Sequence, residues 1–153
     1  MAETAETARR SVGSMTVLHP HQVSPGFVED TVQHGGPVTL DPFLSITDFR
    51  MSRPTFAPHP HAGFSAVTYM FRDSAGSFRN RDSLGDVSLI GPGDLHWTQA
   101  ARGMMHEEIP TSPVRSATGC SCSSTWPPRT STPRRALFIS RPPTSRSSCR
   151  RTV

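Results

Sequence analysis

Ala57-Pro58-His59-Pro60-His61-Ala62-Gly63-Phe64 leads directly into Ser65-Ala66-Val67-Thr68-Tyr69-Met70-Phe71, and the reading of these two adjoining segments decides the fold. Ala66 to Phe71 is β-branched and aromatic, a composition that suits a pleated, half-buried surface. On a strand, the period of two sends His59 and His61 to one face. Met105-His106-Glu107-Glu108 repeats the device. There His106 and Glu108 share a face, while Glu107 turns away from Glu108 towards solvent or a salt bridge. Three neutral imidazoles and one carboxylate, from His59, His61, His106 and Glu108, suit a borderline divalent metal such as Fe, Ni, Co, Cu or Zn far better than Ca or Mg.

Working outward, turn signals recur at short intervals: Ser24-Pro25-Gly26, His34-Gly35-Gly36-Pro37, Ser83-Leu84-Gly85-Asp86, Gly91-Pro92-Gly93-Asp94 and Ala100-Ala101-Arg102-Gly103. Gly91 and Gly93 serve their turn. Arg72-Asp73-Ser74-Ala75-Gly76 reads as a hairpin returning through Ser77 to Arg81. Leu40 to Ile46 is apolar enough to place Phe43 and Leu44 against a core. Trp97 reads as core or pocket wall, and His96 lies either near the pocket or in a structural role. No amphipathic helix is apparent, and many short strands between turns predict an all-β antiparallel barrel or sandwich. His19 and His21 form a second His-x-His, but without a nearby carboxylate they are not read as ligands.

The 153 residues allow one ordinary domain. The overall charge of +4 is uneven, because residues 1–110 hold 8 Arg and 12 acids whereas 111–153 hold 8 Arg and no acid. Lys is absent. The three Cys, at 120, 122 and 149, all lie in that basic segment, and their spacing implies neither a disulfide framework nor a structural zinc site. Residues 1–14 read as a flexible lead-in without a signal peptide. No stretch approaches the ~20 apolar residues of a membrane span. A cytoplasmic location is the expectation.

His59-Pro60-His61-Ala62-Gly63-Phe64, Arg81-Asp82-Ser83-Leu84-Gly85, Gly91-Pro92-Gly93-Asp94 with Trp97, and Gly103-Met104-Met105-His106-Glu107-Glu108-Ile109-Pro110 together resemble, in order and spacing, the amino-terminal domain of the pirin family, within the cupin superfamily. The resemblance runs from about Gln33 to Pro110. It implies a cupin-type β-barrel (jelly roll) over residues 15–110, incomplete here. It also implies a single metal, usually iron, held by the positions matching His59, His61, His106 and Glu108. Some members resemble quercetin 2,3-dioxygenase, which opens a flavonol ring with O2; Glu108 would then be the catalytic proton acceptor for a small aromatic substrate. Other members are described as metal-dependent coregulators with a protein partner. A monomer is expected. Ala62, Ser65, Asn80 and His96 depart from residues common in the family (Arg, Glu, His and Gln), which alters the polarity around the site without removing a ligand.

Beyond Pro110, 31 of the 43 residues are Ser, Thr, Pro or Arg. Residues 111–153 are therefore expected to be a disordered, non-native tail, with strand potential only at Ala136-Leu137-Phe138-Ile139. Such a chain would be an inactive truncated fragment if the barrel failed to assemble. Its Arg content offers phosphate contacts, but without aromatic stacking platforms a nucleic-acid partner is not expected. Codons exist for Ala117 to Trp126 that, read in a shifted register, encode the His-Gly-Leu-Gln-Leu-Phe-Val-Asn-Leu strand expected of the resembling family. A frame change near Pro113 would explain the tail. Sequencing the gene there is expected to show a shifted frame that restores this strand and continues; its absence would reject the explanation.

Overall fold

A computed structural model describes residues 15–33, 35 and 40–124, together with the backbone strand at 137–140. The elements are β1 (His21–Ser24), β2 (Phe27–Gln33), β3 (Phe43–Met51), β4 (His59–His61), β5 (Ser65–Met70), β6 (Phe78–Asp82), β7 (Val87–Ile90), β8 (Leu95–Gln99), β9 (Met104–Pro110), β10 (Ala117–Ser124) and β11 (Leu137–Ser140). They form a seven-stranded sheet, β1-β2-β3-β10-β5-β8-β11, and a four-stranded sheet, β4-β9-β6-β7. Every pairing among the described residues is antiparallel, and the two sheets do not close into a barrel. The all-β architecture expected from the turn spacing is the one observed. No helix of the described residues is long and apolar enough to cross a membrane.

The turns act where the glycines permit them. Gly93 (φ 85°) lets Asp94 N–H return to the Gly91 carbonyl at 3.0 Å, and the Asp94 carboxylate accepts from Gly91 N–H at 2.9 Å. Gly85 (φ 92°) closes the β6–β7 hairpin. The core lies between the sheets, with Phe27, Phe49, Met51, Met70, Phe78, Ile90 and Ala117 buried together. Phe49 from one sheet meets Phe78 from the other at 5.6 Å between ring centroids.

Several expectations are corrected. Phe43 and Leu44 are each 37% exposed; Leu40 is the buried apolar residue of that segment, and Phe49 and Met51 further along β3 reach the core. The Arg72–Gly76 turn is not a hairpin, because β5 pairs with β8 and β10 while β6 joins the other sheet. It is a crossover, anchored by Gly76 N–H to the Ser116 carbonyl at 2.9 Å. Trp97 alternates with buried His96 and Thr98, so it lies half-buried on the outer face of its sheet. Past Pro110, where the ordered domain was expected to end, Ala117–Ser124 forms β10 between β3 and β5. A weak strand former is admitted there because the backbone ladders on both sides supply the hydrogen bonds. The backbone strand at Leu137–Ser140 overlaps the segment read as strand-capable and pairs with β8. The expected flexible lead-in of 1–14 and residues 125–136 and 141–153 of the tail lie outside the described residues.

Gly119 marks the tightest point of β10. A Cβ there would sit 2.4 Å from the Tyr69 carbonyl oxygen and 2.9 Å from the Phe49 ring. That carbonyl belongs to β5, the partner strand of β10, and cannot step aside without straining the ladder. Gly119→Ala is expected to destabilise the fold by about 1–3 kcal/mol, the usual cost of overpacking, read as a lowered thermal unfolding midpoint beside a Ser121→Ala control. An unchanged midpoint would contradict the placement of β10.

Candidate metal centre

The register of β4 against β9 builds the centre. His59 lies directly opposite His106, and His61 opposite Met104. Directly opposed residues share a face, so all three imidazoles meet over one end of the interior. One ring nitrogen from each of His59, His61 and His106 lies within 4.8 Å of the others. His61 Nε2 and His106 Nε2 are 2.9 Å apart. Two nitrogens bound at ~2.1 Å to one ion at a right angle lie about 3.0 Å apart, so this spacing fits a shared cation. His59 Nδ1 donates to the Ala57 carbonyl at 3.0 Å, which leaves its Nε2 lone pair free. The donor set and its spacing therefore fit a borderline divalent metal.

The fourth expected ligand is placed differently. Glu108 lines the same cavity, but its carboxylate is hydrogen-bonded to Thr68 Oγ1 and His96 Nδ1, each at 3.1 Å. The cluster close enough to hold an ion comprises the three histidines alone among the described residues. Glu107 pairs with Arg81, as strand alternation implies for the residue facing away from Glu108. His19 and His21 lie outside the cluster.

Sequence reasoning passed over Thr68 and left His96 undecided. The usable signal was the β5–β8 pairing, which sets Thr68 directly opposite His96 on the inward face. Glu29 on β2 and Ser121 and Ser123 on β10 also line the cavity, which has a volume of about 180 Å³ and an aromatic wall that includes Phe27, Phe49 and Phe56.

Electrostatics favour neutral imidazoles. Burial, then the neighbouring His106 and His59, lower the His61 pKa from 6.5 to about 4 against the opposing pull of Glu108. Burial likewise lowers His106, partly offset by Glu108. Burial alone would raise the Glu108 carboxyl, but the hydrogen bond and charge of His96, with His106 and Thr68, outweigh it and hold the group below 4.5.

Comparison with known proteins follows the same lines. The family model described as Pirin matches residues 5–122. Pirin of Rattus norvegicus is 44% identical over 81 residues, covering 51% of this chain and 27% of that protein. A Pseudomonas aeruginosa protein provisionally named quercetin 2,3-dioxygenase is 38% identical over 111 residues, covering 68% of this chain and 38% of its own. The chain thus spans between about a quarter and two fifths of the length of these relatives. Among solved structures, GK1651 of Geobacillus kaustophilus superposes with a TM-score of 0.72 at 27% identity, covering 82% of this chain and 49% of that one. The nickel(II) complex of the bacterial pirin YhhW of Escherichia coli gives 0.65 at 15% identity, covering 81% and 54%, and so speaks to the fold alone.

The metal-free protein is expected to lose stability on acidification. The folded-state pKa of His61 lies below the unfolded value, so the unfolded chain takes up its proton first, and stability falls as pH drops from 6.5 towards about 4. The Glu108 contribution, present above 4.5, is lost below it as pH falls through its folded value. The thermal midpoint should fall between about pH 7 and about pH 4.5, less steeply in His61→Gln. A midpoint indifferent to pH over that range would contradict the clustering of the imidazoles.

Proposed function

Since the chain belongs to the pirin family, we propose that it is a cytoplasmic, monomeric metal-dependent protein whose His59, His61 and His106 hold a single divalent ion, iron foremost, and which acts on a flavonol-type aromatic substrate with O2. The observation that carries this reading is the convergence of three imidazole nitrogens within 4.8 Å on the wall of an aromatic-lined cavity. The quercetin dioxygenase name borne by the P. aeruginosa relative supports the substrate class, and the three clustered imidazoles support a divalent transition metal.

An iron centre would supply Lewis acidity towards the substrate hydroxyl and redox chemistry towards O2. The surrounding residues do the rest. Phe27 and Phe56, in edge contact at 5.1 Å between ring centroids, offer an apolar wall against which an aromatic ring packs. Glu108, held ionised below the usual carboxylate range, is the acceptor for the proton leaving a substrate hydroxyl. At about 180 Å³ the cavity is smaller than the ~300–1,000 Å³ that encloses a drug-sized ligand, so it takes one end of a three-ring flavonol and leaves the remainder at the mouth. The same small volume favours a second reading, in which the metal-loaded site tunes a surface that binds a protein partner.

Metal content per chain after anaerobic purification, followed by flavonol-dependent O2 consumption, tests both steps. Near-stoichiometric transition metal is expected in the wild type. His106→Ala should lower it at least tenfold, since one of the three clustered imidazole donors is removed. Metal without flavonol turnover would favour the partner-binding reading, and no metal in the wild type would reject both.

A further inference from the structure

The Glu108 carboxylate is gripped from the opposite sheet. Glu108 rises from β9 of the four-stranded sheet, whereas Thr68 and His96 face each other across β5 and β8 of the seven-stranded one. Thr68 Oγ1 donates to Oε2 and His96 Nδ1 to Oε1, each at 3.1 Å. With a separate donor on each oxygen, the carboxylate cannot rotate without breaking a bond. The donors are themselves fixed, His96 being 1% exposed and Thr68 8%. His96 Nε2 is also buried and has no hydrogen-bond partner among the described residues. An apolar side chain would fill that volume without burying an unpaired nitrogen. The polar cost of an imidazole here is offset by the one directed bond it makes, to Glu108.

We infer that His96 is a positioning residue: with Thr68 it fixes the orientation of the Glu108 carboxylate at the edge of the three-imidazole cluster. His96 does not line the cavity, and its hydrogen bond is to Glu108. Its consequence for metal rests on the metal-binding reading above; the clamp itself does not.

The test is a double-mutant cycle read with Co(II) as the probe on the full chain. His96→Ala is expected to weaken Co(II) binding about tenfold, the lower range for loss of a group that orients a metal site. His96→Asn, which keeps an N–H near the position of Nδ1, should recover most of that loss. In a Glu108→Met background, where the side chain keeps its length but has no acceptor, His96→Ala should cost nothing further. An equal loss in both backgrounds, or no loss in either, would overturn the inference and leave His96 as core filling. A second readout needs no metal. The metal-free wild type should show an exchange-protected, low-field imidazole N–H proton signal that vanishes in both His96→Ala and Glu108→Met and persists in His106→Ala. Absence of Co(II) uptake with this signal present would reject the metal-binding reading and uphold the clamp; absence of the signal would overturn the clamp.

Discussion

The seven-stranded sheet exists because β10 is inserted between β3 and β5. On one side lie β1, β2 and β3; on the other lie β5, β8 and β11; β10 is hydrogen-bonded to both flanks and is the only strand that joins them among the described residues. Its sequence, Ala-Thr-Gly-Cys-Ser-Cys-Ser-Ser, has little side-chain reason to be a strand. What holds it is the obligation of buried backbone N–H and C=O groups to be paired, which a central position satisfies on both edges. The close approach at Gly119 follows from the same position, since Phe49 and the Tyr69 carbonyl press in from the two flanks.

The second dependence runs between the sheets. His59, His61 and His106 sit on the four-stranded sheet, and the groups that hold Glu108 sit on the seven-stranded one. The site is therefore assembled only when the sheets are face to face, and the Phe49–Phe78 contact beside it helps set that spacing. Polar clamp and apolar contact are neighbours in the same interior. A change that loosens the packing of β10 against β3 and β5 moves Phe49 and Thr68, and through Thr68 it reaches Glu108.

Much of this was legible in the chain. His59 and His61 could be placed on one face because strand periodicity is local and rigid, whereas His106 joins them through the β4–β9 register, which only the family resemblance implied. The all-β class followed from turn chemistry, also local. What escaped depended on pairing between distant segments. Thr68 and His96 are ordinary residues until the β5–β8 register sets them opposite one another. The 72–76 segment reads as a hairpin until the strands it joins are seen to lie in different sheets. Phe43 and Leu44 show the limit of apolarity as a guide, since hydrophobic character at the start of β3 does not say which side the sheet covers. Residues 117–124 of the basic segment also escaped, because composition argues from burial whereas β10 is held by its backbone. Alternation alone turned Glu107 away from Glu108 and allowed it a salt bridge, but its partner Arg81 came from the β6–β9 register.

The imidazole cluster has a physical logic of its own. The three rings lie with centroids 4.7 to 4.8 Å apart, and burial together with the neighbouring imidazoles makes protonation of His61 and His106 costly. Without a cation, the His61 and His106 nitrogens at 2.9 Å must share a single proton, one as donor and the other as acceptor. A divalent ion at the same place would take the lone pairs of both and of His59, and the neighbouring Glu108 carboxylate would offset part of its charge. Proton and metal would then compete for one position. Burial, which lowers the pKa of His61 and His106, would tilt that competition towards the metal at neutral pH.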